Sequence, residues 1–291
     1  MGETRRHTRM DTAFKGSEAL RQGTLTRYEL RAGFRAIYPD VYVARYATPS
    51  LRLRSEAAWL WSGRRGVLAG LAAAALHGSE WIDDDEPVEL AHRNQHAPAG
   101  IVTRNQHLAE CEIACIAGLP VTSAARTAFD LARRLPMDGA VARLDALMRA
   151  TSCRVEDVLP LAERYPRARG LRRLRAALSL VDAGAASPKE TWLRLLVVRA
   201  GLPAPETQIP VVKHYRTVAM LDMGWEGFNV ALEYDGDQHR TSRRQYVRDL
   251  RRLKALADCG WIVIRVIAED RPEDVIRRVR QALRRRGYRD T

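Results

Sequence analysis

Three acidic residues in the last third of the chain have a spacing that suits metal-assisted chemistry. Glu233 and Asp235 lie two residues apart in segment 229–235, so on a β-strand their side chains would share one face, roughly 7 Å apart. Asp222 ends the preceding segment, and a hairpin through residues 223–228 would bring it beside them. Carboxylates that converge raise one another's pKa unless a cation neutralises them. We therefore expect a site for Mg²⁺ or Mn²⁺, ions that activate water and hold a phosphodiester.

The alternative is that Glu233 and Asp235 simply face solvent. Both alternate with apolar residues, however, and they continue into a polar turn, residues 236–239, which adds further functional groups. This context favours a functional site over a solvated strand face.

Glu190 and His239 are further candidate members of this site. Glu190 stands three residues after Ser187, where a capping box requires a carboxylate, so capping alone explains it. It also borders the apolar face of that predicted helix and could reach the acids, and both roles stay open. His239 suits a general base or a phosphate contact, although an isolated histidine is more often structural.

The predicted helix that follows His239 is strongly basic. Residues 240–254 contain seven basic residues against Asp249, whereas a solvated surface helix normally mixes both signs of charge. We expect this helix to face nucleic-acid phosphates, with Asp249 orienting Arg252 or His239. The arginines expected to contact DNA are Arg244, Arg248, Arg251 and Arg252.

The overall composition agrees with an acidic macromolecular partner. The 291 residues include 48 Lys and Arg against 35 Asp and Glu, a net charge of +13, and nucleic acid is the commonest partner of such a chain. An arginine-rich proteome is the competing explanation. Four cysteines without Cys-x-x-Cys spacing predict neither a zinc site nor disulfides and suggest a reducing cytoplasm. No apolar run reaches the roughly 20 residues of a membrane span.

The elements that must position the acids are predicted from residue 187 onward. Ser187 and Pro188 begin a helix that Gly201 and Pro203 end. The order of the predicted elements is αβββαβα, an α/β layer rather than a helical bundle. After the first helix come three strands, a helix, a strand and a helix, at residues 208–212, 218–222, 229–235, 243–258, 261–267 and 272–286.

Residues 12–48 predict a small domain of their own. They contain a helix, a turn, a second helix capped by Thr26 and a two-stranded hairpin. This is the outline of a winged helix that binds DNA, although an ordinary helical hairpin has the same pattern.

Residues 51–182 predict a mostly helical α+β middle domain. Apolar residues recur at helical spacing over 51–75 and 124–148, and a strand pair is expected near 87–90 and 101–103. The small, turn-prone residues 182–187 separate this region from a C-terminal domain at 185–291.

Six motifs in register lie between residues 185 and 286. They are Ser-Pro-x-Glu-x-x-Leu-Arg at 187–194, Ala-Gly-Leu-Pro at 200–203, Leu-Asp at 221–222, Glu-Tyr-Asp-Gly-Asp-Gln-His at 233–239, Asp-x-x-Arg at 249–252 and Gly-Trp-Ile-Val-Ile-Arg at 260–265. Together they closely resemble the endonuclease-like domains allied to very-short-patch-repair endonucleases, in the PD-(D/E)xK superfamily. The resemblance implies a restriction-endonuclease-like αβββαβ core, with Asp222 and Glu233 as metal ligands. It also implies Glu190 as an auxiliary residue and His239 near the scissile phosphate.

One position departs from the pattern of that superfamily. Where the Glu-x-Lys motif has its lysine, this chain has Asp235. A cation that steadies the attacking water and the developing negative charge must then come from elsewhere, with His239, Lys254 or an arginine as the alternatives.

Segments 16–43, 67–78 and 118–130 carry a second resemblance. The last two read Val-Leu-Ala-Gly-Leu-Ala-Ala-Ala-Ala-Leu-His-Gly and Gly-Leu-Pro-Val-Thr-Ser-Ala-Ala-Arg-Thr-Ala-Phe-Asp. They are similar to the AbiEi-type antitoxin family, which implies a winged helix that binds operator DNA and a second domain that neutralises a nucleotidyltransferase toxin. From the residues alone, His77 is expected to be structural and 122–130 to begin and cap a helix.

These patterns lead to one main functional prediction and two alternatives. The main prediction is a DNA-binding, metal-dependent endonuclease that hydrolyses phosphodiester bonds. The first alternative is a non-catalytic DNA-binding regulator, or antitoxin-like protein, with a degenerate nuclease fold. The second is an interaction protein that neutralises a toxin partner.

Overall fold

The computed structural model describes residues 12–94, 96–213, 215–236 and 243–289. The chain packs as two compact units. The first contains the described residues up to Arg134 together with Ala150–Leu174, and the second contains Leu135–Arg149 and the described residues from Arg175 onward. The α/β class predicted from the sequence is confirmed, with three sheets and helices packed on them. The division into three domains stays a prediction.

The first unit begins with the predicted helix, turn, helix and hairpin. Thr26 caps the second helix: its hydroxyl accepts from the Glu29 N–H at 3.2 Å, and the Glu29 carboxylate accepts from the Thr26 N–H at 2.8 Å. The hairpin pairs with a short N-terminal strand in the order β1-β3-β2. The elements are β1 (Phe14–Lys15), α1 (Gly16–Arg21), α2 (Arg27–Gly33), β2 (Phe34–Tyr38) and β3 (Val41–Ala44).

The rest of the first unit is a five-stranded sheet with helices, in the order β6-β5-β4-β8-β7. Residues 12–48 share the core of this sheet, since Tyr38 and Val43 belong to the same buried cluster as Leu68 and Leu90. The elements are α3 (Leu51–Trp61), β4 (Val67–Ala69), α4 (Gly70–Leu76), β5 (Val88–Ala91), β6 (Ile101–Arg104), β7 (Ile113–Ile116), β8 (Leu119–Thr122) and α5 (Ala124–Arg134). Three helices follow α5 in the chain: α6 (Met137–Ala150), α7 (Val155–Arg164) and α8 (Leu171–Leu178).

The sequence prediction for this region was partly wrong. The expected strands near 87–90 and 101–103 exist and pair in parallel. The helix expected over 51–75 is instead two helices separated by β4, because Gly63 and Gly70 adopt positive φ angles of 67° and 59°, which the interior of a continuous helix does not allow. Strands β7 and β8 were not predicted.

The motif at 118–130 forms part of the core of the first unit. The Arg126 guanidinium is buried between two carboxylates, Glu112 and Asp130. The side chain of His77 contacts the Thr122 carbonyl at 2.8 Å. These contacts agree with the structural roles expected for His77 and for residues 122–130.

The second unit contains a four-stranded mixed sheet in the order β12-β11-β10-β9. β9, β10 and β11 are antiparallel neighbours, and β12 runs parallel to β11. The predicted order αβββαβα is confirmed. After α6 the elements are α9 (Pro188–Arg199), β9 (Glu206–Lys213), β10 (Arg216–Trp225), β11 (Val230–Tyr234), α10 (Arg243–Asp258), β12 (Ile262–Val266) and α11 (Pro272–Arg285).

Helices cover both faces of this sheet. α9 and α11 contribute Leu193, Val197 and Val279 to one buried cluster with the sheet. α10 contributes Leu256 to a second cluster with Leu221 and others. The strands are therefore enclosed on both sides, and polar groups on them are removed from water.

Helix α6 is fixed to α9 by a buried ion pair. Asp145 is 1% exposed and Arg194 is 6% exposed. The Asp145 carboxylate accepts from Arg194 Nη2 at 2.9 Å, from Thr191 Oγ1 at 2.8 Å and from the Asp182 N–H at 2.8 Å. A helix that precedes the predicted 182–187 boundary is thus part of the C-terminal unit.

We expect Asp145→Ala to lower the free energy of unfolding by about 3–5 kcal/mol, because Arg194 would stay buried without its counter-charge. Asp138→Ala on the same helix is the control. Its pair with Arg199 is about half exposed, with side chains 52% and 48% accessible, so the loss should be at most about 1 kcal/mol. Urea denaturation followed by tryptophan fluorescence measures both, and equal losses would contradict a structural role for the buried pair.

Candidate functional site

Asp222 and Glu233 lie on neighbouring antiparallel strands. The register pairs Met223 with Leu232, so the next step along the ladder sets Asp222 opposite Glu233. Asp222 Oδ2 also accepts from the Tyr234 N–H at 3.4 Å. The hairpin between β10 and β11 therefore brings together the two acids that the sequence analysis assigned to a metal.

Glu233 is almost completely buried and is held by Arg252. Nη1 of Arg252 donates to Glu233 Oε2 at 3.1 Å, and Nη2 donates to Oε1. Nη2 also donates to the Met220 carbonyl at 3.1 Å. A bidentate, charge-assisted pair of this kind neutralises the carboxylate and fixes its orientation.

Asp235 has an arginine of its own. Arg265 of β12 donates from Nη2 to Asp235 Oδ2 at 2.8 Å, and its Nη1 lies 3.0 Å from Asp249 Oδ2. Asp249 is also 3.9 Å from Arg252. The predicted contact between Asp249 and Arg252 is therefore present, and Arg265 is an additional partner.

Asp222 differs from these acids in its surroundings. Over the described ranges, its carboxylate has a hydrogen bond from a backbone N–H and none from an arginine or lysine. Burial first, and then the charges of Glu190 and Glu233, raise the pKa of Asp222 to about 7, against the opposing effects of the Tyr234 N–H and Arg252. Near neutral pH this carboxyl is balanced between its neutral and charged forms.

Glu190 caps the start of α9. Its two carboxylate oxygens accept from the Ala186 N–H at 2.8 Å and the Ser187 hydroxyl at 3.0 Å. Ser187 Oγ in turn accepts from the Glu190 N–H at 3.2 Å. These capping contacts account for the position of Glu190, and its charge still raises the pKa of Asp222. The neighbouring Lys189 places its ammonium 5.6 Å from the ring centre of Tyr234.

The residues present offer a divalent cation two carboxylates. Across the described part of the chain, no three His, Cys, Asp or Glu side chains converge closely enough to enclose a metal ion. Asp222 and Glu233 remain as donors, and Mg²⁺ typically takes one or two carboxylates with water and phosphate oxygens. These two carboxylates fit an ion of this kind, provided that water and phosphate oxygens supply its other ligands. His239 lies outside the described residues.

Charge in this region is uneven. Among the described residues, five acids, Glu190, Asp222, Glu233, Asp235 and Asp249, meet three basic residues, Lys189, Arg252 and Arg265. The two arginines bind Glu233, Asp235 and Asp249, so over the described ranges Asp222 is the acid of the β10–β11 hairpin without a bound arginine. Sequence reasoning missed Arg265, although one charged residue within the apolar segment 261–267 was a usable signal.

The predicted DNA-contacting arginines of α10 separate into two groups. Arg244, Arg248 and Arg251 are exposed, whereas Arg252 is directed at Glu233. The role of all four in binding phosphates stays a prediction.

The first unit presents a separate basic surface on α2. Leu30 packs into the core, while the other six residues of α2 are exposed, with Tyr28 at 80%. Arg45 of the strand hairpin donates from Nε to the Ala32 carbonyl at 2.8 Å, which satisfies the C-terminal end of α2. The hairpin therefore holds α2 with its polar side outward.

Comparisons with known proteins find a similarity to a known family in one part of the chain. Residues 67–180 match the AbiEi antitoxin C-terminal domain. Two uncharacterized proteins from two strains of Mycobacterium tuberculosis are each 28% identical over 256 residues, covering 84% of this chain and 92% of the relative. No solved structure matches. Within the described ranges, every helix is too short or too polar to cross a membrane.

The family match supports the antitoxin resemblance of the N-terminal half over residues 67–180. None of these matches is to a very-short-patch-repair or other nuclease domain. The comparisons therefore favour the alternative function, a DNA-binding regulator or antitoxin-like protein, over the endonuclease.

The unusual pKa of Asp222 has a measurable consequence for stability. Because its folded-state pKa of about 7 lies above the ordinary 3.8, the folded state keeps a proton that the unfolded state loses between those values. Asp222 should thus make stability fall as pH rises from about 4 to about 7, by up to about 4 kcal/mol. Asp222→Asn removes this loss of stability. The free energy of unfolding of the variant, relative to that of wild type, should therefore increase as pH rises.

Urea denaturation at pH 5 and pH 8, in buffer containing a chelator, measures the effect. Asp258→Asn, at an exposed position on α10, is the control and should run parallel to wild type. If the free energy of unfolding changed equally with pH in Asp222→Asn and in wild type, the raised pKa of Asp222 would be refuted.

Proposed function

We propose that this protein is a DNA-binding regulator of the antitoxin kind, which docks on DNA through α2 and the β2–β3 hairpin. The observation that supports it most directly is the outward face of α2, which carries Arg27, Tyr28 and Arg31. In helix-turn-helix proteins the second helix enters the major groove with its N-terminal residues against the bases. Arginine and tyrosine side chains are common donors to base edges and phosphates.

The charge of this segment supports the same conclusion. Residues 12–48 contain six basic and three acidic residues. The acids are engaged locally: Glu18 pairs with Arg64 at 2.7 Å, Glu29 caps α2, and Asp40 accepts from Ser17. The exposed arginines of α2 are thus left to act on an anionic partner.

The match of residues 67–180 to an antitoxin domain supports the regulatory side of the proposal. By that likeness, a protein toxin is the partner we propose for this region. Such a protein would bind the DNA upstream of its own gene, and that sequence is the natural probe.

We propose metal-dependent phosphodiester hydrolysis by the second unit as a second candidate function. The observation that favours it is Asp222, a partly buried acid in an αβββαβ core whose pKa is raised by burial and by the charges of Glu190 and Glu233. A divalent ion bound there would supply Lewis acidity and an activated water. Asp222 and Glu233 would hold it, while exposed arginines of α10 would bind phosphate oxygens.

Asp235 does not supply the cation that the lysine of Glu-x-Lys would bring. In this chain Arg252 is the basic group beside the acids, since its guanidinium binds Glu233 and its charge reaches Asp222. Of the alternatives named from the sequence, the arginine is therefore the one we propose.

The docking surface on α2 can be tested by DNA affinity and its dependence on salt. Arg27→Ala combined with Arg31→Ala should weaken binding to a labelled duplex from upstream of the gene. It should also reduce the slope of log affinity against log salt by about 0.9 for each phosphate that is no longer neutralised. Tyr28→Ala should weaken binding with little change of slope, because tyrosine carries no charge.

The matched control removes the same charge elsewhere on the first unit. Arg167 and Arg169 are exposed between α7 and α8, and their double alanine variant should bind as wild type does. An equal loss in both double variants would mean that net charge, rather than α2, determines binding.

The second candidate is tested by plasmid nicking with and without Mg²⁺ or Mn²⁺. Wild type should nick only with the metal, Asp222→Asn should lose all activity, and Asp258→Asn should keep it. Nicking that persists in Asp222→Asn comes from another site or a contaminant. A wild type that is inactive with both metals would remove the nuclease candidate and leave the DNA-binding proposal standing.

A further inference from the structure

Adjacent arginines of α10 have opposite surroundings. Arg251 is exposed, whereas Arg252 turns inward and makes three hydrogen bonds, two to Glu233 and one to the Met220 carbonyl. The two differ by one residue on one helix, so their different environments are set by the sheet beneath α10 rather than by local sequence.

The pair of Arg252 and Glu233 differs from an ordinary surface ion pair in its burial and geometry. Glu233 is 6% exposed, so its charge has lost most of its hydration and depends on the guanidinium. The planar fork of arginine matches both carboxylate oxygens, which a lysine ammonium cannot do. The third bond, to Met220, holds the guanidinium in the orientation that this match requires.

Arg252 acts on both acids that would hold a metal. It binds Glu233 directly, and its charge also lowers the pKa of Asp222. A divalent cation between these two carboxylates would meet the positive charge of Arg252 at short range and would compete for the same Glu233 oxygens.

We propose that Arg252 is an internal counter-ion that competes with a divalent cation for the Asp222–Glu233 pair. The proposal rests on the second candidate function, because it assumes that these acids bind metal. In the metal-free protein Arg252 occupies the site and keeps Glu233 neutralised. Binding of a cation requires Arg252 to give up its bonds to Glu233.

A displaced guanidinium needs a new anionic partner, and a DNA phosphate beside α10 supplies one. Guanidinium and phosphate form bidentate bonds as readily as guanidinium and carboxylate. DNA would therefore favour metal binding, and by linkage the metal would favour DNA binding by the same factor. Without DNA the site would bind the metal more weakly than with DNA.

Calorimetric titration of the full-length protein with Mn²⁺ tests this competition. Arg252→Gln removes the charge but keeps a hydrogen-bond donor for Glu233, and it should bind Mn²⁺ about tenfold more tightly than wild type, since a nearby positive charge is lost. Arg252→Lys keeps the charge but loses the two-point match to Glu233, so its Mn²⁺ affinity should lie between those of wild type and Arg252→Gln. Arg251→Gln makes the same change on the exposed side and should have no effect.

A second measurement needs no variant at position 252 and guards against misfolding of Arg252→Gln. Wild-type protein titrated with Mn²⁺ should bind it several-fold more tightly in the presence of a saturating phosphorothioate DNA duplex.

The outcomes separate the two proposals. Unchanged or weaker Mn²⁺ binding by folded Arg252→Gln would mean that Arg252 only positions Glu233, and the competition would be refuted while the metal site survives. Identical Mn²⁺ affinity with and without the duplex would equally refute it. No Mn²⁺ binding by wild type, by Arg252→Gln or with the duplex would remove the metal site, and both proposals with it.

Discussion

Both units depend on the neutralisation of buried carboxylates by arginine. A carboxylate taken out of water costs several kcal/mol unless a cation and further hydrogen bonds accompany it. In each case the arginine comes from a different element and so joins two parts of the fold. The buried pairs are Glu112 with Arg126, Asp145 with Arg194 and Glu233 with Arg252, and the partly buried Asp235 pairs with Arg265. Burial opposes ionisation of Glu112, yet hydrogen bonds from Tyr165, Arg164 and Arg126 outweigh it and hold its pKa below the ordinary value.

Asp222 is a partly buried carboxylate to which, over the described ranges, no arginine is hydrogen-bonded. Burial first, and then the charges of Glu190 and Glu233, raise its pKa to about 7, because a backbone N–H and the charge of Arg252 offset them only in part. A purely structural role would favour an apolar residue here, because the neighbouring positions Leu221 and Met223 are completely buried. An acid at this position is costly to the fold, and residues of that kind are concentrated at binding and catalytic sites. The same physical fact therefore underlies both the pH dependence of stability and the candidate metal site.

The sequence was informative where a local pattern determines the structure. Alternation predicted the strand that carries Glu233, and the capping box at Ser187 and Glu190 predicted the start of α9, since both depend on residues close in the chain. The pairing of Arg252 with Glu233 spans 19 residues, and that of Asp145 with Arg194 spans 49. Such contacts arise from packing. The sequence therefore indicated a DNA contact for Arg252 but not its ion pair with Glu233. Helix periodicity over 51–75 failed for a different reason: two glycines at positive φ interrupt a segment whose apolar spacing is otherwise helical.

The net charge of +13 is therefore a weaker indicator of DNA binding than its size suggests. Several arginines are bound inside the molecule to carboxylates and carbonyl groups, and each of these can neutralise a phosphate only if it gives up such a contact. The relevant arginines are those on an ordered helix face whose nearby acids are already engaged. Arg27 and Arg31 on α2 meet this condition, because Glu29 caps the helix and Glu18 belongs to Arg64. On α10 the condition holds for Arg248 and Arg251, which are exposed, but fails for Arg252. One helix thus carries two uses of the same residue type, and position relative to the sheet, rather than identity, decides which arginine is exposed and which is bound to a carboxylate.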